Sequence, residues 1–479
     1  MIDSITAIAV LMSSAQRLNR EQWLAADRIA EIKQRRFATL LREAAKAPYY
    51  ATLFRQLGLD PLRECRARTV TQLPFLDRQI IAAHGIDAFL TTNRRRLFSV
   101  TTSGSTGTPG VFMRSVAEEA EFSARWRRVY AAYGCGSRDA QVNVARADKP
   151  DRIGPSTLLR RLGILPPVTK LASNAPAEQI ANVVRKLEPP ILTGYAAAIE
   201  ALAEHIIATG KPIRPPRAVF CTAMEVTDHC LDVAQRAFHA PSVDVYVTNE
   251  FGVIAWSCPK RRDYLHVNDD TFEVEIVGED GKPVPDGTEG EIVVTSLGLS
   301  SMPLLRYRMG DIAARTPGVC TCGRGLGLMT CLKGRTAHAI RRQDGGLITG
   351  PLITGVFGAC GAYRWVRSFQ LREEQPRRLH ILIERRRSPI DDEKALLLAK
   401  LTDAIGPGFT LNLAYVEEIP VAPNGKRQFI VPLPRETATT PPRSKKQKRR
   451  ERTIRSHTSS IGALLMQGKR DVVEHGVER

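Results

Sequence analysis

The sequence lacks any long hydrophobic run. No stretch approaches the roughly 18 consecutive apolar residues that a membrane-spanning helix needs. The apolar stretch nearest to the start of the chain, Ile5 to Met12, is only eight residues long, and Asp3 precedes it where a signal peptide would have Lys or Arg. We therefore expect neither a membrane span nor an export signal, and we expect a cytoplasmic protein.

Cysteine is scarce, with nine among 479 residues. In the absence of an export signal, these cysteines predict reduced thiols, some of them metal ligands, rather than a disulfide framework. Hydrophobic residues make up 43% of the chain and charged residues 25%, which excludes wholesale disorder, collagen and coiled coils. At roughly 150 residues per domain, the length predicts about three domains whose hydrophobic cores can supply the stability.

Acidic residues are outnumbered, since 69 Lys and Arg face 50 Asp and Glu, for a net charge of +19. Residues 435–479 alone hold 12 basic and 5 acidic side chains. Because this segment has too few apolar residues to repay chain entropy, we expect a disordered basic tail. It could aid solubility, contact an anionic membrane or nucleic acid, or serve as a targeting address. It contains no aromatic residue, which disfavours base stacking and hence specific nucleic-acid binding.

Hydrophobic periodicity predicts an α/β fold. A helical pattern covers residues 15–57, and helical patterns alternate with short apolar runs between residues 116 and 245. From Thr271 the period changes to two, and a Pro-Asp-Gly turn predicts a β-hairpin. A smaller α+β segment follows. We thus predict a large domain, a small C-terminal domain and a tail, over residues 1–334, 335–434 and 435–479.

A Gly-, Ser- and Thr-rich run, residues 102–108, follows the short apolar stretch from Phe98 to Val100. Free backbone N–H groups and hydroxyls suit phosphate oxygens, and Gly104 and Gly107 allow close approach and positive φ. The run is not a Walker motif, because no Gly-Lys-Ser or Gly-Lys-Thr follows it. Taken alone, it fits a flexible linker as well as a phosphate-binding loop.

Four further motifs follow the loop in order. They are Tyr246-Val-Thr-Asn-Glu250, Arg306-Tyr-Arg-Met-Gly-Asp311, Gly334-Arg335-Thr336 and Pro423-Asn-Gly-Lys426. Each one has an ordinary structural interpretation, such as a core tyrosine of a strand or a hairpin turn at Asn424-Gly425. Their joint presence in this order favours a nucleotide-binding site.

On these five motifs, residues 35 to 433 resemble the adenylate-forming superfamily, and within it the phenylacetate-CoA ligase-like, or CapK-like, branch. Connecting stretches such as Leu192-Thr-Gly-Tyr195 share the resemblance. It implies a large domain with the ATP and acid sites and a small mobile domain. It also implies activation of an aryl or acyl carboxylic acid as an acyl-adenylate with ATP and Mg²⁺, followed by transfer to CoA or a carrier-protein thiol.

The resemblance implies a role for each motif residue. Tyr246 would stack on adenine, Asp311 would accept hydrogen bonds from the ribose hydroxyls, and Arg335 would support the same ribose. Glu250 would bind Mg²⁺, and Lys426 would be the catalytic lysine of the first half-reaction. The phosphates would be bound by Asn249 and by the loop residues Thr102, Ser103, Gly104, Ser105, Thr106, Gly107 and Thr108.

The sequence departs from the family pattern in three places, the last of which involves two residues. Asn249 replaces the usual Ser or Thr before the metal-binding Glu, and Val247 replaces the Gly after the tyrosine. Ala337 and His338 stand where relatives place Asp-Asp at the hinge between the domains. The altered hinge leaves open an adenylyltransferase that stops at the adenylate or passes AMP to another acceptor. A catalytically inactive scaffold that retains the fold is a third hypothesis.

A second constellation consists of three cysteines and one histidine, Cys258, His266, Cys320 and Cys322. Three thiols and an imidazole match a tetrahedral structural zinc site, and ordinary buried cysteines are the alternative. The acid substrate has no motif of its own, because pocket residues are scattered between about residues 130 and 255. Ala223, Phe251 and Gly252 are candidates for that pocket.

Overall fold

A computed structural model of the chain places residues Met1–Pro432 in one compact unit. The residues whose structure it describes are 2–61, 71–92, 94–101, 110–145, 166–223, 226–344, 346–419 and 428–433. The phosphate loop predicted at 102–108, the predicted catalytic Lys426 and the predicted tail at 435–479 therefore lie outside the described residues.

The described residues form ten α-helices. Their bounds are α1 Ile2–Glu21, α2 Ala26–Ala44, α3 Pro48–Leu57, α4 Arg78–His84, α5 Val116–Ala132, α6 Ala177–Leu187, α7 Ala196–Thr209, α8 Asp228–Phe238, α9 Gly350–Ala359 and α10 Asp391–Ile405.

The described residues also form nineteen β-strands. Their bounds are β1 Phe98–Thr101, β2 Val111–Arg114, β3 Gln141–Ala145, β4 Val168–Ala172, β5 Ile191–Tyr195, β6 Ala218–Thr222, β7 Ser242–Thr248, β8 Gly252–Cys258, β9 Arg261–Val267, β10 Phe272–Val277, β11 Glu289–Ser296, β12 Tyr307–Thr316, β13 Leu328–Thr330, β14 Ile340–Arg341, β15 Leu347–Ile348, β16 Val366–Gln375, β17 Arg378–Arg385, β18 Thr410–Val416 and β19 Ile430–Val431.

The N-terminal helical pattern is confirmed, but it consists of three helices, and the first begins already at Ile2. Helix α3 has Pro48 in its first turn, where the missing N–H costs nothing, and it ends before Gly58 at a φ of 67°. Helix α5 begins with a capping box, in which Ser115 and Glu118 bond each other's backbone N–H groups. None of the helices in the described part of the chain has the length and hydrophobicity needed to cross a bilayer.

Eleven strands form the central sheet, in the order β10-β11-β12-β13-β9-β8-β7-β6-β5-β3-β4. Strands β3 to β7 pair in parallel, as the alternation of helix and strand predicts. From β7 onward the pairing is antiparallel, through β8, β9, β13, β12, β11 and β10. The predicted α/β class is therefore confirmed, and the sheet changes character at β7.

The predicted small domain contains a four-stranded sheet of order β18-β17-β16-β19 with α9 and α10. It has a hydrophobic core of its own that includes Phe357, Trp365 and Leu397. Side chains of this domain also touch the large domain. The ring of Tyr363 stacks on His229 at 4.0 Å between centroids, and Arg386 Nη2 lies 2.7 Å from Glu204 Oε1.

Candidate functional site

The end of β7 places the first predicted site residues. Its run of Val and other β-forming residues is buried on both faces, and Tyr246 is only 5% exposed. The chain then turns, with Thr248 Oγ1 accepting a bond from the Phe251 N–H. Gly252 opens β8 at a φ of 73°, where an added Cβ would lie 2.5 Å from the Phe122 ring. Asn249 and Glu250 are thus fixed in a tight turn between two strands.

Strand β12 delivers Asp311 to the same place. Gly310 precedes it with a φ of 72°, and the carboxylate is buried. The Tyr246 hydroxyl donates to Asp311 Oδ2 at 2.7 Å, and Arg335 Nε donates to Oδ1 at 2.7 Å. The backbones of Asp311 and Arg335 also form an isolated β-bridge. The three residues predicted to contact the nucleoside are therefore brought together.

The electrostatics keep this group in defined protonation states. Burial, reinforced by the Asp311 carboxylate, raises the pKa of Tyr246 well above its ordinary value. The Asp311 charge likewise raises the pKa of Arg335. Tyr246 therefore stays a neutral donor and Arg335 a cation throughout the physiological range.

The two arginines of the Arg-Tyr-Arg-Met-Gly-Asp motif have structural partners. Arg306 has a φ of 48° and forms a bidentate, buried ion pair with Glu275 at 3.0 and 2.9 Å. Arg308 pairs with Glu291 at the surface. Sequence reasoning assigned no partner to either residue. Their pairing fixes the start of β12, and so it fixes the position of Asp311.

Glu250 is buried, at 3% exposure, and meets an arginine that sequence reasoning missed. Arg78 Nη2 donates to Glu250 Oε1 at 2.8 Å, and Arg78 Nε lies 3.3 Å from the Tyr307 hydroxyl. Burial raises the pKa of Tyr307, which leaves its hydroxyl protonated. No motif marks Arg78, which is one of 69 basic residues, so nothing in the sequence alone separates it from the others.

The predicted hinge follows Arg335 directly. Residues Thr336–His338 form a short 3₁₀ helix, and Thr336 Oγ1 lies 3.3 Å from the Gly310 carbonyl oxygen. The His338 ring nitrogen Nε2 lies 3.2 Å from Gln428 Nε2. Strand β14 of the small domain begins at Ile340. The residue expected to support the ribose is therefore also the last residue before the segment that joins the domains.

The three candidates for the acid pocket occupy different environments. Ala223 follows β6 with a φ of 64°. Phe251 is fully buried and packs edge-on against Phe272 and Tyr307, so the core uses its ring. Gly252 is confined by Phe122. These positions do not show whether any of the three residues contacts the acid substrate. Their assignment to the acid pocket stays a prediction.

The four predicted zinc ligands converge. Cys258 ends β8, His266 lies on the paired strand β9, and Cys320 and Cys322 lie in the loop after β12. Their potential ligand atoms all lie within 4.8 Å of one another. Cys258 Sγ is 3.5 Å from Cys320 Sγ, and Cys322 Sγ is 3.3 Å from His266 Nε2. Such spacings are close to those between the ligands of one tetrahedral ion.

The same environment sets the ionisation of these groups. Burial lowers the pKa of His266 to about 4, so the imidazole is neutral, as metal ligation requires. Burial raises the pKa of the Cys320 thiol to about 11. For Cys322, burial is outweighed by the N–H groups of Arg324, which hold the pKa of the thiol below its ordinary value.

The protein has recognisable relatives. Residues 340–432 match the family model of the CapK C-terminal domain. A phenylacetate-coenzyme A ligase of Thermus thermophilus is 24% identical over 306 residues, which cover 61% of this chain and 66% of that protein. Protein CapK of Staphylococcus aureus is 23% identical over 287 residues, covering 59% of this chain and 62% of that protein. The chain thus matches less than two thirds of each relative's length.

A solved structure covers more of the chain. The crystal structure of 2-hydroxyisobutyryl-CoA ligase in the postadenylation state, in complex with R3-HIB-AMP, superposes with a TM-score of 0.71 at 17% identity. It covers 86% of this chain and 91% of that chain. The protein therefore has the fold of the adenylate-forming CoA ligases. Its sequence is similar to those of phenylacetate-CoA ligase and CapK, and its residues 340–432 are similar to the CapK C-terminal domain.

Proposed function

We propose that this protein activates a carboxylic acid with ATP as an acyl-adenylate and then transfers the acyl group to the thiol of CoA. The observation that supports this most is the Tyr246–Asp311–Arg335 group. The Asp311 carboxylate accepts one hydrogen bond from the Tyr246 hydroxyl and one from the Arg335 guanidinium, each of 2.7 Å. These two bonds pre-organise the carboxylate for the ribose diol. Glu250, the residue expected to bind Mg²⁺, lies in the turn directly after the strand of Tyr246.

The chemistry of the first half-reaction is mainly one of positioning and charge. The substrate carboxylate attacks the α-phosphorus, the bond to pyrophosphate breaks, and two anions must approach each other. Asp311 and Tyr246 would orient the nucleoside, and the loop at 102–108 would bind the leaving phosphates. The Lys426 ammonium would neutralise the charge that develops between carboxylate and α-phosphate.

Glu250 fits a magnesium ion by its chemistry. Mg²⁺ prefers oxygen ligands and is usually held by one or two carboxylates together with substrate phosphates. When bound, it neutralises phosphate charge. Asn249 offers an amide beside Glu250 in the same turn, for a phosphate oxygen.

A second function is favoured by one observation. Ala337 lies in the short helix that joins the domains, where the resembled family places a carboxylate. If rotation of the small domain depends on that carboxylate, the protein would stop at the adenylate or pass AMP to another acceptor. In the leading proposal, a carrier-protein thiol is the alternative to CoA as the acceptor. An inactive scaffold that retains the fold is the remaining alternative function.

The deciding experiment is ATP–pyrophosphate exchange with a panel of aryl, fatty and hydroxy acids. Exchange that depends on one acid class would support adenylation and define the substrate. Thioester formation would then be followed with CoA and with a carrier protein as separate acceptors. Exchange without discharge to either thiol would favour the adenylyltransferase, and absence of exchange with every acid would favour the scaffold.

We propose further that Cys258, His266, Cys320 and Cys322 hold a structural zinc ion. Three of them are buried and the fourth is partly buried, and four protein ligands would complete the tetrahedral coordination of a structural zinc ion. Zinc here would tie the turn after β8 to the loop after β12, two segments that are 62 residues apart in sequence.

We infer a cytoplasmic location from the use of ATP and CoA. For the basic segment 435–479, we propose at most a weak contact with polyanions, because its 12 basic and 5 acidic residues are not accompanied by aromatic side chains.

A further inference from the structure

We propose that Arg78 is a phosphate-binding residue that neutralises Glu250 until nucleotide and metal arrive together. On their arrival, the Arg78 guanidinium exchanges Glu250 for a phosphate oxygen, and Mg²⁺ takes its place on the carboxylate. The inference rests on the proposed function and adds to it a residue, and an order of events, that no motif indicates.

The first observation is the geometry of the ion pair. The Arg78 and Glu250 side chains meet at 2.8 Å, with the Glu250 side chain 4% exposed and that of Arg78 31% exposed. The carboxylate is therefore sealed beneath the guanidinium, and the guanidinium is the partner that solvent and a solute can reach. A cation that binds Glu250 Oε1 must therefore displace Arg78.

The second observation is how Arg78 is anchored. It opens α4 directly after Asp77, whose side chain caps the helix by accepting from the Ile80 N–H at 2.8 Å. Leu76 is bonded to the chain at the start of β12 through the Arg306 carbonyl oxygen and the Arg308 N–H. The Arg78 backbone is thus tied to the strand that carries Asp311, and only its side chain needs to move.

The third observation is a buried arginine, Arg114, whose charge interacts with that of Glu250. Arg114 ends β2, the strand that follows the predicted phosphate loop, and it is 4% exposed. Its Nη1 pairs with Glu119 at 3.0 Å, but Nε and Nη2 are buried and have no hydrogen-bond partner among the residues that the structure describes. The Glu250 charge is among those that act on this guanidinium. Donors left unpaired in a buried position indicate a missing acceptor, and a phosphate oxygen is of the right kind.

These positive charges set the order of binding. A divalent cation that approaches Glu250 alone must displace Arg78 and meets Arg114 nearby, so like charges oppose it. A cation that arrives with a triphosphate brings the anion that both arginines need. The pair therefore disfavours metal without nucleotide and favours the two together.

The test measures metal and nucleotide separately. Mn²⁺, as a spectroscopic stand-in for Mg²⁺, is titrated into the wild-type protein and Arg78→Gln at pH 8 without nucleotide, and ATP is titrated into both in a second series. We expect Arg78→Gln to bind Mn²⁺ about tenfold more tightly and ATP about tenfold more weakly. The opposite signs are the signature of exchange, because a residue that merely supported the fold would weaken both.

Further variants complete the design. Arg214→Gln removes an exposed arginine that pairs with Glu188 instead, and it should change neither affinity. Arg78→Lys retains the charge, so it should bind Mn²⁺ as weakly as the wild type. Arg78→Met, which removes the charge but keeps a long side chain, replaces Arg78→Gln if that variant does not fold.

Unchanged ATP affinity in Arg78→Gln, or weaker binding of both probes, would overturn the exchange. Failure of the wild-type protein to bind ATP would contradict the proposed function instead, and the Mn²⁺ comparison separates the two failures.

Discussion

The hydroxyl of Tyr246 lies 2.7 Å from Asp311 Oδ2, across a sequence separation of 65 residues. The residue expected to contact adenine therefore also holds the residue expected to bind the ribose. The nucleoside site is one hydrogen-bonded unit rather than two independent contacts, and substitutions at either residue should affect the same binding step.

Tyr246→Phe keeps the ring and removes only the hydroxyl. We expect ATP affinity to fall about three- to tenfold, since the bond to a carboxylate is lost. Asp311→Ala, which removes the predicted ribose acceptor, should cost about tenfold or more. Tyr133→Phe is the matched control, because that part-buried hydroxyl donates to the Ser257 carbonyl oxygen, outside the site. Calorimetric titration with ATP is the measurement, and undiminished affinity in Asp311→Ala would refute the ribose assignment.

The cysteine and histidine cluster predicts about one zinc per chain. Elemental analysis of protein purified without chelator should detect it. Cys320→Ser should lose the metal and lower the folded yield more than the intrinsic exchange rate of the surviving protein, because a closed four-ligand site contributes folding energy. Cys135→Ser, a buried cysteine outside the cluster, should retain the metal. Metal-free wild-type protein of full stability would show that the cysteines are ordinary core residues.

Lys426 should matter to the first half-reaction alone. Lys426→Ala removes the cation that we expect to act between carboxylate and α-phosphate, so we expect pyrophosphate exchange to fall about a hundredfold or more. Thioester formation from supplied acyl-adenylate should survive. Lys400→Ala, in helix α10, is the control. Intact exchange in Lys426→Ala would remove the catalytic assignment.

The hinge gives the complementary change. Ala337→Asp restores the carboxylate that relatives place at this position, so it should speed thioester formation and leave pyrophosphate exchange nearly unchanged. Single-turnover measurement of each half-reaction with CoA is the appropriate assay. Equal rates in the variant and the wild type would mean that Ala337 does not limit rotation.

The buried carboxyl group of Asp244 should make the stability of the folded protein depend on pH. This carboxyl on β7 is buried, and burial raises its pKa from an ordinary 3.8 to about 7. Between these values the unfolded chain is ionised and the folded chain is protonated, so stability should fall as pH rises from about 4 to 7. Asp244→Asn should remove this dependence and melt several degrees higher at pH 8. Asp286→Asn, at an exposed turn, is the control for thermal melts at pH 5 and 8. A melting temperature of Asp244→Asn that follows the wild type at both pH values would contradict the assignment.

Much of the fold follows from local sequence patterns. Strong amphipathic patterns and short apolar runs leave little choice, so the patterns in the sequence coincide with helices α6, α7 and α8 and strand β18. These patterns cover Ala177–Leu187, Ala196–Thr209, Asp228–Phe238 and Thr410–Val416. Strand β8 escaped prediction because all seven of its residues are buried, so it shows no alternation. Strand β13 has only three residues and no pattern at all.

The candidate site, like the fold, could be predicted from the sequence only in part. The motifs indicate Tyr246, Glu250, Asp311 and Arg335 because each lies in a recognisable run. Their mutual contacts depend on the register of strands β7, β8, β9, β13 and β12, which no local pattern reveals. Arg78 could not be found at all, because its importance comes only from the partner that the fold gives it.

The contacts between the two domains bear on how fast any rotation can begin. Tyr363 stacks on His229, and Arg386 meets Glu204, so both pairs must separate before the small domain can turn. Stacking and ion-pair interactions weaken as their partners separate. Most of the free energy needed to break them is therefore required in the first few ångströms of movement. The ion pair of Arg341 with Glu279 adds to these contacts. Departure from the described arrangement would thus depend on side chains outside the nucleotide site, and selection could tune the turnover rate without altering the chemistry.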